Sequence, residues 1–256
     1  MDQLIISGAA FLGLLIGSFL NVIVHRIPAG LEVVRTPSAC PRCGHRIRAG
    51  DNLPVISWLV LRGRCRDCGE PISVRYPLVE AGTALLFGLT AWVVGPRWVL
   101  PAYLWFAGVT LALSLIDLDH RRIPNRVLYP GAAVGTVLLA AGAVADGETG
   151  SLWRALAGGA GYFTFLLLIA LVARGGFGFG DVKLGFLLGE FAAYRGWGAL
   201  FVGGFAAFVI GGVVGIVLMA ARRAGRRDLI PFGPWLVLGG YLGIAVGERV
   251  FDWYLG

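Results

Sequence analysis

Long apolar segments recur along the whole chain and are separated by short polar connections. Most of them approach the 20 residues that an α-helix needs to cross the hydrocarbon core of a bilayer. Their expected limits are residues 4–24, 77–95, 98–116, 127–145, 155–173, 182–195, 198–221 and 234–250. The sixth segment is short for a span. The pattern therefore predicts an all-α polytopic membrane protein with about eight transmembrane helices.

The charges around the first segment distinguish a retained helix from a secretory signal. A signal peptide carries Lys or Arg before its apolar core and a small-residue cleavage site after it. Here Asp2 precedes the apolar segment, and His25 and Arg26 follow it. Because the charge order is reversed, we expect a first transmembrane helix that stays in the protein.

Composition and charge agree with a membrane protein and set its orientation. Hydrophobic residues make up 57% of the chain and charged residues only 14%, whereas a soluble domain is about 25% charged. Eighteen of the 22 basic residues fall in segments 25–76, 117–126, 174–183 and 222–228. The positive-inside rule places these segments in the cytoplasm and both termini outside. The net charge of +7 is thus an orientation signal, with attraction to anionic lipid, and requires no nucleic-acid partner.

The chain divides into three predicted parts. Residues 1–24 form the first transmembrane helix, and residues 25–76 form the only loop large enough to fold by itself. Residues 77–256 form a core of seven helices. The loop belongs to the cytoplasmic side by its nine arginines.

This loop contains all four cysteines, as Cys40 and Cys43 in one CxxC pair and Cys65 and Cys68 in another. Two such pairs at this separation predict a structural zinc site with four thiolate ligands. Two disulfides or free thiols are the alternative, and the reducing cytoplasm disfavours disulfides. His45 is a possible substitute ligand, although a surface histidine is the simpler interpretation.

Acidic residues at the predicted membrane boundary are the candidate catalytic groups. Asp117 and Asp119 end the third span, and Asp181 begins the sixth after a glycine-rich stretch that includes Gly178 and Gly180. Charged groups at such depth are usually functional. From the residues alone two interpretations stay open, a catalytic carboxylate pair or a set of helix caps and solvated ion pairs. Glu190, near the outer side of a short span, has no assigned role.

The ordered motifs of the chain resemble those of the bacterial type IV prepilin peptidases, in the GxGD class of intramembrane aspartyl proteases. The matching segments are GSFLNVIVHRIP at 17–28, CPRCGH at 40–45, CRDC at 65–68, RYPLVE at 75–80, SLIDLDHRRIPN at 114–125, GFGFGDVKL at 176–184 and IPFGP at 230–234. The resemblance implies that Asp117 and Asp181 are the catalytic aspartates. Asp119, Gly178, Gly180 and Lys183 would support them, Lys183 by tuning Asp181 or by anchoring its helix. The IPFGP segment is expected to set a rigid turn into the last span, and packing against the active-site loop is a second interpretation.

The resemblance also implies the reaction and its setting. Such enzymes lie in the bacterial inner membrane and cut the leader of type IV prepilins and pseudopilins after a glycine, at the cytoplasmic face. Many then N-methylate the new N-terminus with S-adenosylmethionine. One alternative is a peptidase of this class without methyl transfer. Another is a non-enzymatic zinc-containing transporter or scaffold, which the lack of a visible internal repeat disfavours.

Overall fold

The computed structural model describes residues 2–33, 36–173, 178–221 and 231–256. Helices account for 77% of these residues. The described chain contains no β-strand, only two isolated bridges, Ala39 with Arg46 and Arg64 with Pro71. It divides into two compact units, Met1–Pro96 and Arg97–Gly256. The predicted functional division at residues 24 and 76 stays a prediction.

The first unit is built on two long helices, α1 (Asp2–Arg26) and α3 (Arg75–Val94). They pack closely through Gly13 and Gly17: a Cβ at either position would lie 2.7 Å from the backbone of α3. This Gly-x-x-x-Gly spacing is typical of membrane helices in close contact. The connection between them contains a 3₁₀ turn, Ala49–Asn52, and a short helix, α2 (Ile56–Val60).

The second unit consists of seven α-helices in its described residues. These are α4 (Leu100–His120), α5 (Asn125–Ala145), α6 (Thr149–Val172), α7 (Phe179–Arg195), α8 (Trp197–Ala220), α9 (Gly233–Leu242) and α10 (Glu248–Leu255). A π-helical segment, Gly243–Gly247, connects α9 to α10. The predicted last span, 234–250, is therefore not a uniform α-helix.

Helix α4 is the most buried of the long apolar helices in the described chain. Its Phe106 ring stacks on Phe191 of α7 at a centroid distance of 4.5 Å. The Tyr103 hydroxyl donates a hydrogen bond to the Phe191 carbonyl oxygen at 2.9 Å. These contacts fix α4 against α7, the two helices that hold the predicted catalytic aspartates.

Carboxylates and a guanidinium satisfy backbone groups at several helix ends. Asp146 accepts hydrogen bonds from the N–H groups of Trp98 and Val99, just before α4, at 2.9 and 3.2 Å. Glu248 accepts from the Ala199 N–H in the first turn of α8 at 2.8 Å. Arg154 donates to the Ala193 carbonyl near the end of α7 at 2.7 Å. Each group meets a backbone atom that a helix terminus leaves without an internal partner.

Six described helices are long and apolar enough to span a membrane, namely α1, α3, α4, α5, α6 and α8. The chain is therefore a multi-pass membrane protein. The predicted sixth span corresponds to α7, which has 17 residues, and the eighth is interrupted by the π-helical segment. The count of eight spans is not confirmed and stays a prediction.

Candidate active site and metal centre

Asp117 lies in the last turn of α4, where the chain is about to leave the helix. Arg121 ends the helix in the left-handed conformation, with φ 52° and ψ 42°, and its N–H donates to the Asp117 carbonyl at 2.7 Å. The Asp117 residue is only 4% exposed. Its Oδ2 accepts a hydrogen bond from the Gly233 N–H at 3.2 Å.

Asp181 lies in the first turn of α7. Gly178 is the N-cap of this helix, and its carbonyl accepts the Asp181 N–H at 3.0 Å. The Asp181 side chain turns back toward the cap, since its Oδ2 would lie 2.9 Å from a Cβ on Gly178. This matches one half of a capping box, in which an acid at the third helical position faces the N-cap backbone. Asp181 is 8% exposed.

The two carboxylates meet at the backbone of Gly233. A Cβ built on Gly233 would lie 2.8 Å from Asp117 Oδ2 and 3.3 Å from Asp181 Oδ1. The two oxygens are therefore separated by no more than the sum of those distances. The fold brings together two buried acids that are 64 positions apart in the sequence.

The other predicted supporting residues surround this pair less closely. Asp119 is exposed on the final turn of α4. Lys183 donates to the Asn125 side-chain oxygen at 3.1 Å, and its ammonium lies 5.3 Å from the Tyr129 ring centroid and 5.0 Å from that of Phe179. The contacts with Asn125 and Tyr129 connect Lys183 to the start of α5, which fits an anchor for the start of α7.

The glycines of the GxGD segment allow close approach at the start of α7. A Cβ on Gly180 would lie 3.0 Å from Cβ of Ile123, the residue that also faces Gly233. The remaining residues of the glycine-rich stretch, 174–177, lie outside the described residues, as do 222–230 with their predicted basic turn.

The four cysteines form a cluster in the first unit. All four thiols are free of disulfides, and the Sγ atoms lie within 4.8 Å of one another. Cys40 Sγ and Cys68 Sγ, from different CxxC pairs, are 3.7 Å apart. Four sulfurs at about 2.3 Å from a tetrahedral zinc ion would be about 3.8 Å apart. The donor set therefore fits zinc, and four protein ligands leave no position open for a substrate.

The two CxxC pairs have the same local fold. In the first, the Gly44 N–H donates to the Cys40 carbonyl at 2.9 Å; in the second, the Gly69 N–H donates to the Cys65 carbonyl at 3.0 Å. Both glycines have positive φ, 73° and 71°, a conformation that favours glycine. The pattern is that of two matching metal-binding turns.

Backbone donors and ion pairs support the cluster. The backbone N–H groups of Cys43 and Arg42 lower the pKa of the Cys40 thiol to about 6, which favours its thiolate form, whereas burial and the neighbouring thiols raise the pKa of Cys43 and Cys68. Ion pairs connect the two turns and the segment between them: Arg42 with Glu70, Arg48 with Asp67 and Arg66 with Asp51. His45 is exposed and is not among the four clustered ligands.

Three groups at or near buried positions have partners that the sequence did not indicate. The Gly233 N–H donates to Asp117, where the sequence predicted a rigid turn or packing against the active-site loop but no contact with this acid. Glu80, 7% exposed, accepts the Val55 N–H at 2.7 Å. Glu190, 1% exposed, accepts the Thr136 hydroxyl at 3.0 Å. For Gly233 a signal existed, since a glycine directly before proline at a helix start can approach another group closely.

The fold and the paired acids together define a class of protein. The chain is a multi-pass helical membrane protein in which two helices bring buried carboxylates together. Two adjacent carboxyl groups are the arrangement with which aspartic proteases work.

Comparisons with known proteins identify the family. The family model for the bacterial peptidase A24 N-terminal domain matches residues 11–94, and that for the type IV leader peptidase family matches residues 104–216. Proteins named prepilin leader peptidase/N-methyltransferase are similar over almost the whole chain. The one from Pseudomonas aeruginosa is 38% identical, covering 95% of this chain and 91% of the relative. That from Stutzerimonas stutzeri is 36% identical, covering 96% and 92%.

A further relative of the same name, from Myxococcus xanthus, is 41% identical and covers 84% of this chain and 64% of its own length. No solved structure matches the chain significantly. The chain belongs to the prepilin leader peptidase/N-methyltransferase family, as its motifs predicted.

Proposed function

We propose that this protein removes the leader peptide of type IV prepilins or pseudopilins by cutting after a glycine, and then N-methylates the new N-terminus. The similarity to proteins of that name supports both steps, because it covers more than nine-tenths of this chain and of the two relatives from Pseudomonas and Stutzerimonas. The observation that carries the peptidase step is the convergence of Asp117 and Asp181 at Gly233.

The carboxylate pair accounts for hydrolysis without a covalent intermediate. Two carboxyl groups this close do not both ionise readily, so one keeps its proton. The ionised group takes a proton from a water molecule, whose oxygen attacks the scissile carbonyl carbon. The protonated group donates to the carbonyl oxygen. Collapse of the tetrahedral intermediate breaks the C–N bond. The leaving amine takes the proton that the first carboxyl removed from water, and the former carbonyl oxygen returns its proton to the second carboxylate.

The position of the two acids in the second unit supports a site at the membrane boundary. Asp117 is in the last turn of α4 and Asp181 in the first turn of α7, so both acids lie at helix ends. We infer a location in the bacterial inner membrane, with the pair at the cytoplasmic face and both termini outside. There the apolar helix of a prepilin stays in lipid while its basic leader reaches the carboxylates.

Two further groups belong to the proposal. Cys40, Cys43, Cys65 and Cys68 would hold one structural zinc ion, which would stabilise a loop that has little apolar core. S-adenosylmethionine would supply the methyl group. Methyl transfer mainly requires the new amine, deprotonated, to be aligned with the donor methyl, which is a proximity effect.

The proposed carboxylate pair is tested by cleavage of a prepilin substrate with purified variants. Asp117→Asn or Asp181→Asn should lower the cleavage rate by about 10²–10⁴-fold, the usual contribution of a general acid or base. Asp119→Asn, two positions from Asp117 and exposed, is the matched control and should keep measurable activity. Full activity of Asp117→Asn together with an inactive Asp119→Asn would reverse the assignment.

The methyl-transfer step is tested separately. Wild-type protein, labelled S-adenosylmethionine and a pre-cleaved pilin should yield a methylated N-terminus, detected by mass spectrometry. The Asp117→Asn variant should methylate the pre-cleaved pilin as wild type does. If wild type leaves every competent pilin unmethylated, the chain is a peptidase without the second activity.

A further inference from the structure

Helix α9 begins at Gly233 and directs a single backbone N–H out of its first turn. The second helical residue, Pro234, has no N–H. The N–H groups of Trp235 and Leu236 both donate to the Phe232 carbonyl, at 3.1 Å. Within this turn, only the Gly233 N–H has its acceptor outside the helix: it donates to Asp117 Oδ2 at 3.2 Å.

The same residue has no side chain to separate the two acids. A Cβ on Gly233 would lie 2.8 Å from Asp117 Oδ2, closer than real Cβ contacts, and 3.2 Å from Ile123 Cδ1 and 3.3 Å from Asp181 Oδ1. Any side chain would therefore occupy the space into which the carboxylates point. That space is where the attacking water and the scissile carbonyl must fit.

We propose that Gly233 is a positioning residue of the peptidase reaction. Its N–H orients the Asp117 carboxylate and stabilises its ionised form, and its lack of a Cβ keeps the gap between Asp117 and Asp181 open. This inference rests on the proposed peptidase function. It assigns to the IPFGP segment a role in catalysis, beyond turn formation and packing against the active-site loop.

Electrostatics favour an ionised Asp117 carboxylate beside the first turn of α9. The first turn of a helix carries a partial positive charge from its unpaired N–H groups, and a carboxylate placed there is stabilised. A hydrogen bond to a charged group is stronger than one between neutral groups. The donor is part of the main chain, so it keeps its direction during the reaction and needs no reorganisation.

The N–H is tested by an amide-to-ester replacement. Gly233 is replaced by glycolic acid through nonsense suppression, which exchanges only the N–H for an oxygen and adds no atoms to the gap. We expect kcat for prepilin cleavage to fall about tenfold to a hundredfold, the effect of losing one hydrogen bond to a charged group, with KM little changed. The matched control is glycolic acid at Gly150, in the first turn of α6, where a Cβ would meet nothing within 4 Å.

The open gap is tested by Gly233→Ala, with Gly150→Ala as its control. Gly233→Ala should lose cleavage by at least the same factor, while methyl transfer to a pre-cleaved pilin stays at the wild-type level. Retained methyl transfer distinguishes a local effect on the carboxylates from a general loss of structure.

Two results would overturn the inference. One is a glycolate variant at position 233 with wild-type kcat. The other is a Gly233→Ala variant that loses cleavage and methyl transfer in equal proportion, which would assign the residue a structural role only. Failure of the proposed function itself is separate, because it would appear as a wild-type protein that does not cleave a prepilin, whereas full cleavage by Asp117→Asn would overturn only the assignment of the carboxylate pair.

Discussion

Replacing Gly158 by alanine tests how closely helices α6 and α7 must pack. A Cβ on Gly158 would lie 2.1 Å from the Ala193 Cβ and 3.0 Å from the Gly189 carbonyl oxygen. Ordinary contacts between such atoms begin near 3.4 Å. The interface would have to open by more than about 1 Å, and packed interiors have no free volume to absorb such a shift.

Overpacking of this kind typically destabilises a protein by about 1–3 kcal/mol. Alanine is also a better helix former than glycine by about 1 kcal/mol. The reference protein must therefore carry a glycine-to-alanine substitution in the same helix, so that this gain in helix stability cancels. Gly161→Ala on the same helix supplies it, because a Cβ there meets nothing within 4 Å. At about 2–4 °C per kcal/mol for a chain of this size, Gly158→Ala should melt about 2–12 °C below Gly161→Ala.

The assay is thermal unfolding of the purified variants in one detergent, followed by tryptophan fluorescence. The double variant Gly158→Ala with Ala193→Gly removes the closest clash and should regain a large part of the loss, giving a coupling energy in a double-mutant cycle. Equal melting temperatures for Gly158→Ala and Gly161→Ala would refute this account of the interface. So would additive effects in the double variant.

Three further predictions concern the first unit and the topology. Purified protein should contain about one zinc per chain, and Cys65→Ser should lower that content and the resistance of residues 25–76 to limited proteolysis; a metal-free protein with disulfide-bonded cysteines would contradict the site. The loop 25–76 is the only predicted cytoplasmic segment large enough to help form a pocket for S-adenosylmethionine, and a Cβ on Gly63 would lie 2.8 Å from the Trp58 ring at a φ of 66°. Gly63→Ala should therefore distort the loop and reduce methyl transfer more than cleavage; equal losses in mass-spectrometric assays of both steps would argue against a donor pocket in the loop. Reporter fusions near residues 50 and 120 should report the cytoplasm, and those near 148 should not.

The apolar pattern predicted the helices well because a membrane helix is a local feature. Hydrophobic segments of sufficient length can be recognised from the sequence alone, and six of the eight predicted spans are long apolar helices in the described chain. The two exceptions depend on tertiary context. Helix α7 has buried residues on nearly every face, so it is protected by its neighbours and not by lipid. The last segment contains a π-helical interruption, which hydropathy along the sequence does not predict.

The cysteine cluster was also predictable, because each CxxC turn is local and fixes two ligands at once. The meeting of Asp117 with Asp181 was suggested by family resemblance, whereas residue patterns alone left helix caps as an alternative. Asp181 in fact has both features, since it faces its own N-cap glycine and the other acid. The partner of Glu190 was not predictable, because Thr136 is 54 positions away and nothing in the local sequence connects them.

The Gly233 contact explains how a helix can begin inside a membrane protein beside a buried acid. A helix start leaves N–H groups without acceptors, which is costly where water is scarce. A buried carboxylate, in contrast, requires hydrogen-bond donors. The Phe-Gly-Pro sequence leaves one N–H directed outward, and Asp117 accepts it. Each group satisfies the other, and the absent Cβ allows Asp181 to approach the same point. Glycine followed by proline therefore provides a donor and a gap at one position, which any residue with a side chain would close.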